Sequence, residues 1–274
     1  MNYRYLFRKL IKIIFLDKYI IRRFGKDLGI IKFKNNYIVD IPKSGSSTIK
    51  HFASLGSKRY NFCRKYLNIQ PKHEYVIPAK EIRPINGEIK IYIFIRPPEE
   101  RIYSLYKQKV SNFEDFPLGY SLIKKENLNL TSKLKSATQF YKENSFLEFC
   151  HGIKNLNKEF LEKGYDYNLL DKHILPQFKI ILNLRETYKN TDEFTFIIYP
   201  IKKINYVLSS FFGRKIKLKI NSTKKDNINY LKDIKTSKII DLFYAEDKLL
   251  YDKLKKAQNG FLEFKFDALS NLNN

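Results

Sequence analysis

Apolar positions follow two rhythms along this chain of 274 residues. Short β-branched and aromatic runs, Tyr37-Ile-Val-Asp-Ile41, Ile89-Lys-Ile-Tyr-Ile-Phe-Ile95 and Phe194-Thr-Phe-Ile-Ile-Tyr199, read as buried strands. Each is stopped by proline: Pro42, the pair Pro97-Pro98, and Pro200. Elsewhere apolar residues recur at helical spacing. The spacing predicts helices from Ile49, from the prolines to about Val110, over Ser145–Leu161 and Leu175–Leu184, and around Lys203–Phe212. A last strong helix is predicted over Thr236–Leu254, carrying Ile239, Ile240, Leu242, Phe243, Leu249 and Leu250. Residues 111–138 are polar, include Pro117 and Gly119, and are expected to run over the surface. There is no internal repeat. Strands alternating with helices predict an α/β fold in one domain, 1–274, with a central parallel sheet flanked by helices.

Composition changes that picture mainly through charge. Lys+Arg number 52 against 28 Asp+Glu, a formal net charge of +24, which predicts an anionic partner. The excess is mostly lysine, in a chain also rich in isoleucine and asparagine, so an AT-rich coding sequence would account for part of it. With 43% hydrophobic residues the chain can build a real core, which excludes wholesale disorder. No apolar run approaches the roughly 18 residues of a membrane span. Two distant cysteines, Cys63 and Cys150, exclude a disulfide scaffold or a cysteine-rich zinc module. Residues 1–30 form a basic amphipathic segment. Within it, Tyr5–Leu16 is apolar but interrupted by Lys12, unlike a signal peptide. It reads either as a helix packed on the domain or as a segment lying on an anionic membrane surface.

Two loops at predicted strand ends carry candidate chemistry. Lys43-Ser44-Gly45-Ser46-Ser47-Thr48 leaves a strand and opens a helix, where backbone N–H groups and the helix dipole favour an anion. Gly45 permits close approach and Lys43 adds a full charge. The loop is not a Walker A sequence, because the lysine precedes the glycine. The same residues would also serve as an ordinary helix cap. The second loop is Arg96-Pro-Pro-Glu-Glu-Arg101-Ile-Tyr-Ser104-Leu-Tyr106. Arg96 sits at the carboxyl edge of a strand, where α/β folds bind ligands. Arg101 and Ser104 share a helix face and could grip a phosphate, or Arg101 could pair with Glu99 or Glu100 on the surface.

Taken together, these motifs resemble the nucleotide-binding elements of carbohydrate sulfotransferases that use 3′-phosphoadenosine 5′-phosphosulfate (PAPS). The lysine loop resembles their 5′-phosphosulfate loop, and the arginine segment their 3′-phosphate motif, RDPxxRxxSxY. Pro97 departs from that motif, where the family usually has a polar residue. Asp171-Lys-His173-Ile-Leu-Pro176-Gln177 is similar to the (D/E)xHWxPQ segment of the Golgi members, with Ile174 in place of tryptophan. Phe243-Tyr-Ala-Glu-Asp247-Lys-Leu-Leu-Tyr251 is similar to their closing YxxDxxLY helix. The four stand in the family's order, from about residue 37 to 254.

The resemblance implies a P-loop-like nucleotide-binding fold and sulfuryl transfer from PAPS to a saccharide or polysaccharide hydroxyl. Lys43 would stabilise the bridging oxygen and residues 44–48 would hold the phosphosulfate. Arg96, Arg101 and Ser104 would hold the 3′-phosphate, and the basic run from Arg214 to Lys225 could close over the nucleotide. A general base must take the acceptor's proton. His73, 23 residues before Arg96, is the first candidate, with Glu74 and His173 as alternatives. His173 and Gln177 are expected on the acceptor side or in a structural role. His51 is expected to be structural, and His151 has no evident partner. No metal is expected. A basic, aromatic surface suits an anionic glycan acceptor, with no nucleic acid bound. The sequence shows no signal or anchor, so a cytoplasmic enzyme is expected, in peripheral membrane contact if residues 5–16 supply it. The competing reading is a non-enzymatic basic protein for nucleic acid or anionic membrane, which leaves the two strand-end motifs unexplained. A nucleotide-kinase reading lacks its Walker A loop.

Overall fold

The three predicted strands form the middle of one sheet. The structure, a computed structural model, describes residues 29–33, 36–53, 76–79, 82, 88–111, 120–122, 139–165, 169–188, 193–213, 215–216 and 234–265. Strands β1 (Gly29–Phe33), β2 (Asn36–Val39), β3 (Val76–Pro78), β4 (Ile89–Ile95), β7 (Phe194–Pro200) and β8 (Leu262–Lys265) lie in the order β3-β1-β2-β4-β7-β8. A separate two-stranded pair joins β5 (Tyr120–Ser121) to β6 (Gln139–Phe140).

The sheet is mixed, which corrects the expectation of a parallel one. β2, β4 and β7 are parallel, in register from Ile89 opposite Phe194 to Ile95 opposite Pro200. β1 runs antiparallel to both β2 and β3, and β8 antiparallel to β7. Connection length decides this. Two residues separate β1 from β2, too few for the crossover that a parallel pair needs, whereas each parallel neighbour follows a long excursion.

Side chains alternate between two cores. Ile30, Val39, Ile91, Ile93, Ile95, Phe194, Phe196 and Ile198 enter the larger core. It is completed by α2 (Pro98–Lys109), α3 (Phe146–Lys163), α4 (Gln177–Thr187), α6 (Ile234–Phe243) and α7 (Ala245–Lys256). Ile31, Ile38 and Phe94 point the other way, onto α1 (Ser46–Ala53) and α5 (Ile204–Phe212). This is the period of two that a sheet covered on both faces requires.

Helix ends follow local chemistry. Ser145 caps α3 in a capping box with Glu148, and Gly164 ends the helix in the left-handed region. Pro98 opens α2, with Glu99 and Glu100 in its first turn; Pro97, at the cap, offers no side-chain bond. The helix predicted over Thr236–Leu254 is two helices, a second correction. Tyr244 leaves helical geometry (φ −116°, ψ 32°), because its buried hydroxyl donates to the Ile174 carbonyl at 2.6 Å. Leu242 and Leu249 face solvent, while Ile239, Ile240, Phe243, Leu250 and Leu254 are buried. Within the polar stretch expected on the surface, Leu122 is fully buried and its carbonyl accepts from Asp171 N–H. Residues 5–16 lie outside the described residues. No helix among the described residues is long and apolar enough to cross a membrane.

Candidate active site

The carboxyl ends of the three parallel strands bring together what sequence distance keeps apart. β2 leads through Asp40–Gly45 into α1, β4 through Arg96 into α2, and β7 through a 3-10 turn, Ile201–Lys203, into α5. Open α/β sheets place ligands at this edge.

The lysine loop is held by backbone geometry that is unusual for its residues. Lys43 has φ 66°, a left-handed value that a non-glycine residue rarely adopts, and Gly45 has φ 85°. A Cβ on Gly45 would lie 2.4 Å from Ile204 Cδ1 and 2.6 Å from Ile201 Cδ1, so α5 packs directly on the glycine. Behind the loop, Ser44 N–H bonds to the Ile41 carbonyl, and the Gly45 carbonyl accepts from Ile49 N–H as α1 begins. The first-turn N–H groups of α1 have no partner within the helix and open toward the strand edge.

Two of the loop's hydroxyls serve the protein itself. Ser44, fully buried, donates to Gln177 Oε1 at 2.7 Å. Ser46 donates to Asp40, which also pairs with Lys50 at 2.5 Å. Ser47 and Thr48 stand in the first turn of α1, with Thr48 buried.

Arg96 bends over the loop. Its Nη1 donates to the Lys43 carbonyl at 3.4 Å and its Nε to Glu100 at 3.2 Å. Arg101 goes elsewhere. It is fully buried, and its Nε and Nη2 donate to the Pro42 and Lys172 carbonyls at 3.2 and 3.0 Å. That ties α2 to the base of the lysine loop, in place of the surface pairing with Glu99 or Glu100. Ser104 is buried one turn further along α2.

Gln177, at the start of α4, joins these parts. Its Oε1 accepts from Ser44 and from Arg96 N–H at 3.0 Å; its Nε2 donates to the Arg96 carbonyl at 2.8 Å and to Asp247 at 3.3 Å. An amide oxygen has two acceptor sites and an amide nitrogen two donors, so the side chain is fully used. This is a structural role, with no donor or acceptor left over for an acceptor sugar. Asp247 caps α4 by accepting from the N–H groups of Gln177 and Phe178 at 2.9 and 2.7 Å. Burial pushes its carboxyl up, against the Arg101 charge and these bonds. The sequence motif around Tyr244 and Asp247 thus becomes a clamp on α4.

His173 lies beside this clamp. Asp171, fully buried, accepts both the His173 backbone N–H at 3.0 Å and its Nδ1 at 2.7 Å. A carboxylate accepts only, so Nδ1 carries a proton and the ring is oriented by Asp171. His151 is exposed on α3. His73, Glu74 and most of the basic run 214–225 lie outside the described residues.

The site's electrostatics centre on Lys43. Its pKa falls to about 7, first because burial penalises the charge, then because Lys109, Arg96 and Arg101 repel it, with Asp171 opposing. Lys109, from the last turn of α2, was not singled out from the sequence. Its position four residues after buried Leu105 was the available signal.

A cationic lysine loop at a helix start, an arginine from the adjacent parallel strand and an acid-capped Pro-Gln helix make up the site. A profile of the Sulfotransferase family matches residues 34–252, spanning all of these elements. The chain belongs to that family. No curated protein and no solved structure matches it. As a sulfotransferase it is a sulfuryl-transferring enzyme, of a family whose members generally use PAPS as donor. Among the described residues of the sulfotransferase no His, Cys, Asp or Glu cluster could hold a metal.

Proposed function

We propose that this sulfotransferase moves the sulfuryl group of PAPS to a saccharide hydroxyl, within one P-loop-like nucleotide-binding domain. The observation that carries the donor is the cationic convergence at Lys43. Lys43 and Arg96 come from two strand ends and meet where Arg96 Nη1 donates to the Lys43 carbonyl at 3.4 Å, while Lys109 and Arg101 from α2 add to the repulsion on Lys43 and Asp171 opposes it. Like charges held together in partial burial are costly, and a polyanion relieves them. Gly45, free to hold φ 85°, turns the chain into α1, whose first-turn N–H groups would be the phosphate's donors.

PAPS supplies an activated sulfuryl group on a phosphate leaving group. Transfer breaks the bond from sulfur to the bridging oxygen and forms one from sulfur to the acceptor oxygen. The acceptor proton passes to a base, and the electron pair of the broken bond stays on the nucleotide phosphate. Lys43 stabilises that developing charge, while Arg96 and Ser104 hold the 3′-phosphate. Arg101 acts through the loop it ties to α2.

His73 remains the base proposed from the resemblance, with Glu74 beside it. The 2.7 Å bond from His173 Nδ1 to buried Asp171 favours a second reading. A histidine oriented by a carboxylate presents Nε2 as a base and is stabilised once protonated. The acceptor is proposed to be an anionic glycan, in keeping with the +24 charge, with membrane contact through residues 5–16.

Calorimetric titration with adenosine 3′,5′-bisphosphate tests the donor site. One-to-one binding is expected in the native chain, weakened at least tenfold, or about 1.4 kcal/mol, in Lys43→Ala and Arg96→Ala. Absence of binding, or affinity unchanged in both variants, rejects the reading. His73→Ala and His173→Ala, assayed for turnover at retained nucleotide affinity, decide between the bases.

A further inference from the structure

Buried polar atoms in folded proteins almost always find a partner, so one without a bond calls for a reason. Asn205 Oδ1 is such an atom: it is shut off from solvent and has no hydrogen-bond partner among the described residues. Asparagine commonly caps a helix by accepting a first-turn N–H. Asn205 does not, since it lies inside the first turn of α5, where Lys203 holds the cap position. α5 starts at the carboxyl edge of β7, and Ile201 and Ile204 pack on Gly45 of the lysine loop. One turn beyond Asn205, Ser209 Oγ donates to the Asn205 carbonyl at 2.6 Å and accepts from Ile216 N–H at 2.8 Å, which lays buried Ile216 against the helix. Around a helix, Asn205 falls between the direction of Ile204 and that of Ser209. Its carboxamide is therefore flanked by the lysine loop on one side and the returning chain on the other.

We propose that the Asn205 carboxamide reads the adenine of the donor nucleotide, Oδ1 accepting from the 6-amino group and Nδ2 donating to N7. The assignment rests on the sulfotransferase reading and adds to it a residue that sets nucleotide specificity. A count of donors narrows the choice. The ionised phosphates and the sulfuryl group of PAPS only accept hydrogen bonds, so an unbonded acceptor can meet only the 6-amino group or the ribose 2′-hydroxyl. A carboxamide presents an acceptor and a donor side by side, which matches the neighbouring 6-amino and N7 positions of adenine; a hydroxyl would use the oxygen alone. Lys43, Arg96, Ser104 and the first turn of α1 account for the phosphates and lie on other elements. That leaves α5 to meet the nucleoside.

Calorimetric titration of the full chain with the 3′,5′-bisphosphates of adenosine, inosine and 2′-deoxyadenosine tests the assignment. Inosine carries an oxygen in place of the amino group, so two acceptors would face each other at Asn205 Oδ1. The native chain is expected to bind the adenosine compound about tenfold more tightly than the inosine one. The deoxy compound should bind within about twofold of the adenosine one, because no bond to the 2′-hydroxyl is lost. In Asn205→Leu the preference for adenosine over inosine should shrink to about twofold or less. Asn205→Asp, which keeps an accepting oxygen, should retain that preference even as its negative charge weakens both compounds. A role in folding alone would weaken adenosine and inosine compounds together and leave the preference intact. That result, or a native chain without the preference, overturns the proposal and leaves the donor site standing. If Asn205→Leu instead abolishes a preference for the 2′-hydroxyl, the residue reads ribose, and the proposal is likewise overturned. A native chain that binds none of the three overturns the sulfotransferase reading and this proposal with it.

Discussion

Lys43 holds two costs in one residue, a left-handed backbone and a partly buried ammonium among cations. The electrostatic cost has a definite pH signature. The folded-state pKa of about 7 lies below the ordinary value of 10.5, so the unfolded chain holds a proton between those limits that the folded chain has released. Stability therefore carries the full penalty below about pH 7, gains as pH rises through the window, and is free of it above 10.5. Urea midpoints across this range, native chain minus Lys43→Met, should rise with pH. A flat difference would show that Lys43 titrates normally. The lysine's place in the motif was legible in the sequence. Its altered basicity was not, because Lys109 and Asp171 reach it from distant parts of the chain.

Among the elements, the contact between the lysine loop and α5 is the most exacting. A methyl group at Gly45 meets Ile201 and Ile204 and must also adopt φ 85°. Gly45→Ala should cost about 3 kcal/mol from backbone and packing together and weaken nucleotide binding. Combined with Ile204→Ala, the loss should be smaller than the sum of the two single losses, because the trimmed side chain gives the methyl room. Strict additivity in denaturant melts would refute direct contact. Strand periodicity exposed β2, β4 and β7, and helical spacing exposed most helices. β1 and β8 escaped because short strands interrupted by lysine or glutamate lack a clear rhythm, and the break at Tyr244 escaped because its cause is a hydroxyl bonded to a carbonyl 70 residues away.

Across the molecule, Gln177 gathers the lysine loop, the end of β4 and α7 at the start of α4, through bonds spanning 133, 81 and 70 residues. Gln177→Ala leaves several buried polar groups unmatched, and should cost about 3 kcal/mol as well as nucleotide affinity. A variant with native stability and affinity would show that the junction is replaceable. By itself the sequence determined the α/β class, the three parallel strands and the two strand-end motifs with their family, since periodicity, proline stops and local loop chemistry are written in consecutive residues. Tertiary structure alone decided the antiparallel edges, the burial of Arg101 and Gln177 as ties, the Asp171–His173 pair and the lowered basicity of Lys43. Each of these depends on which distant backbone donors, acceptors and charges come to share one small, partly dry space.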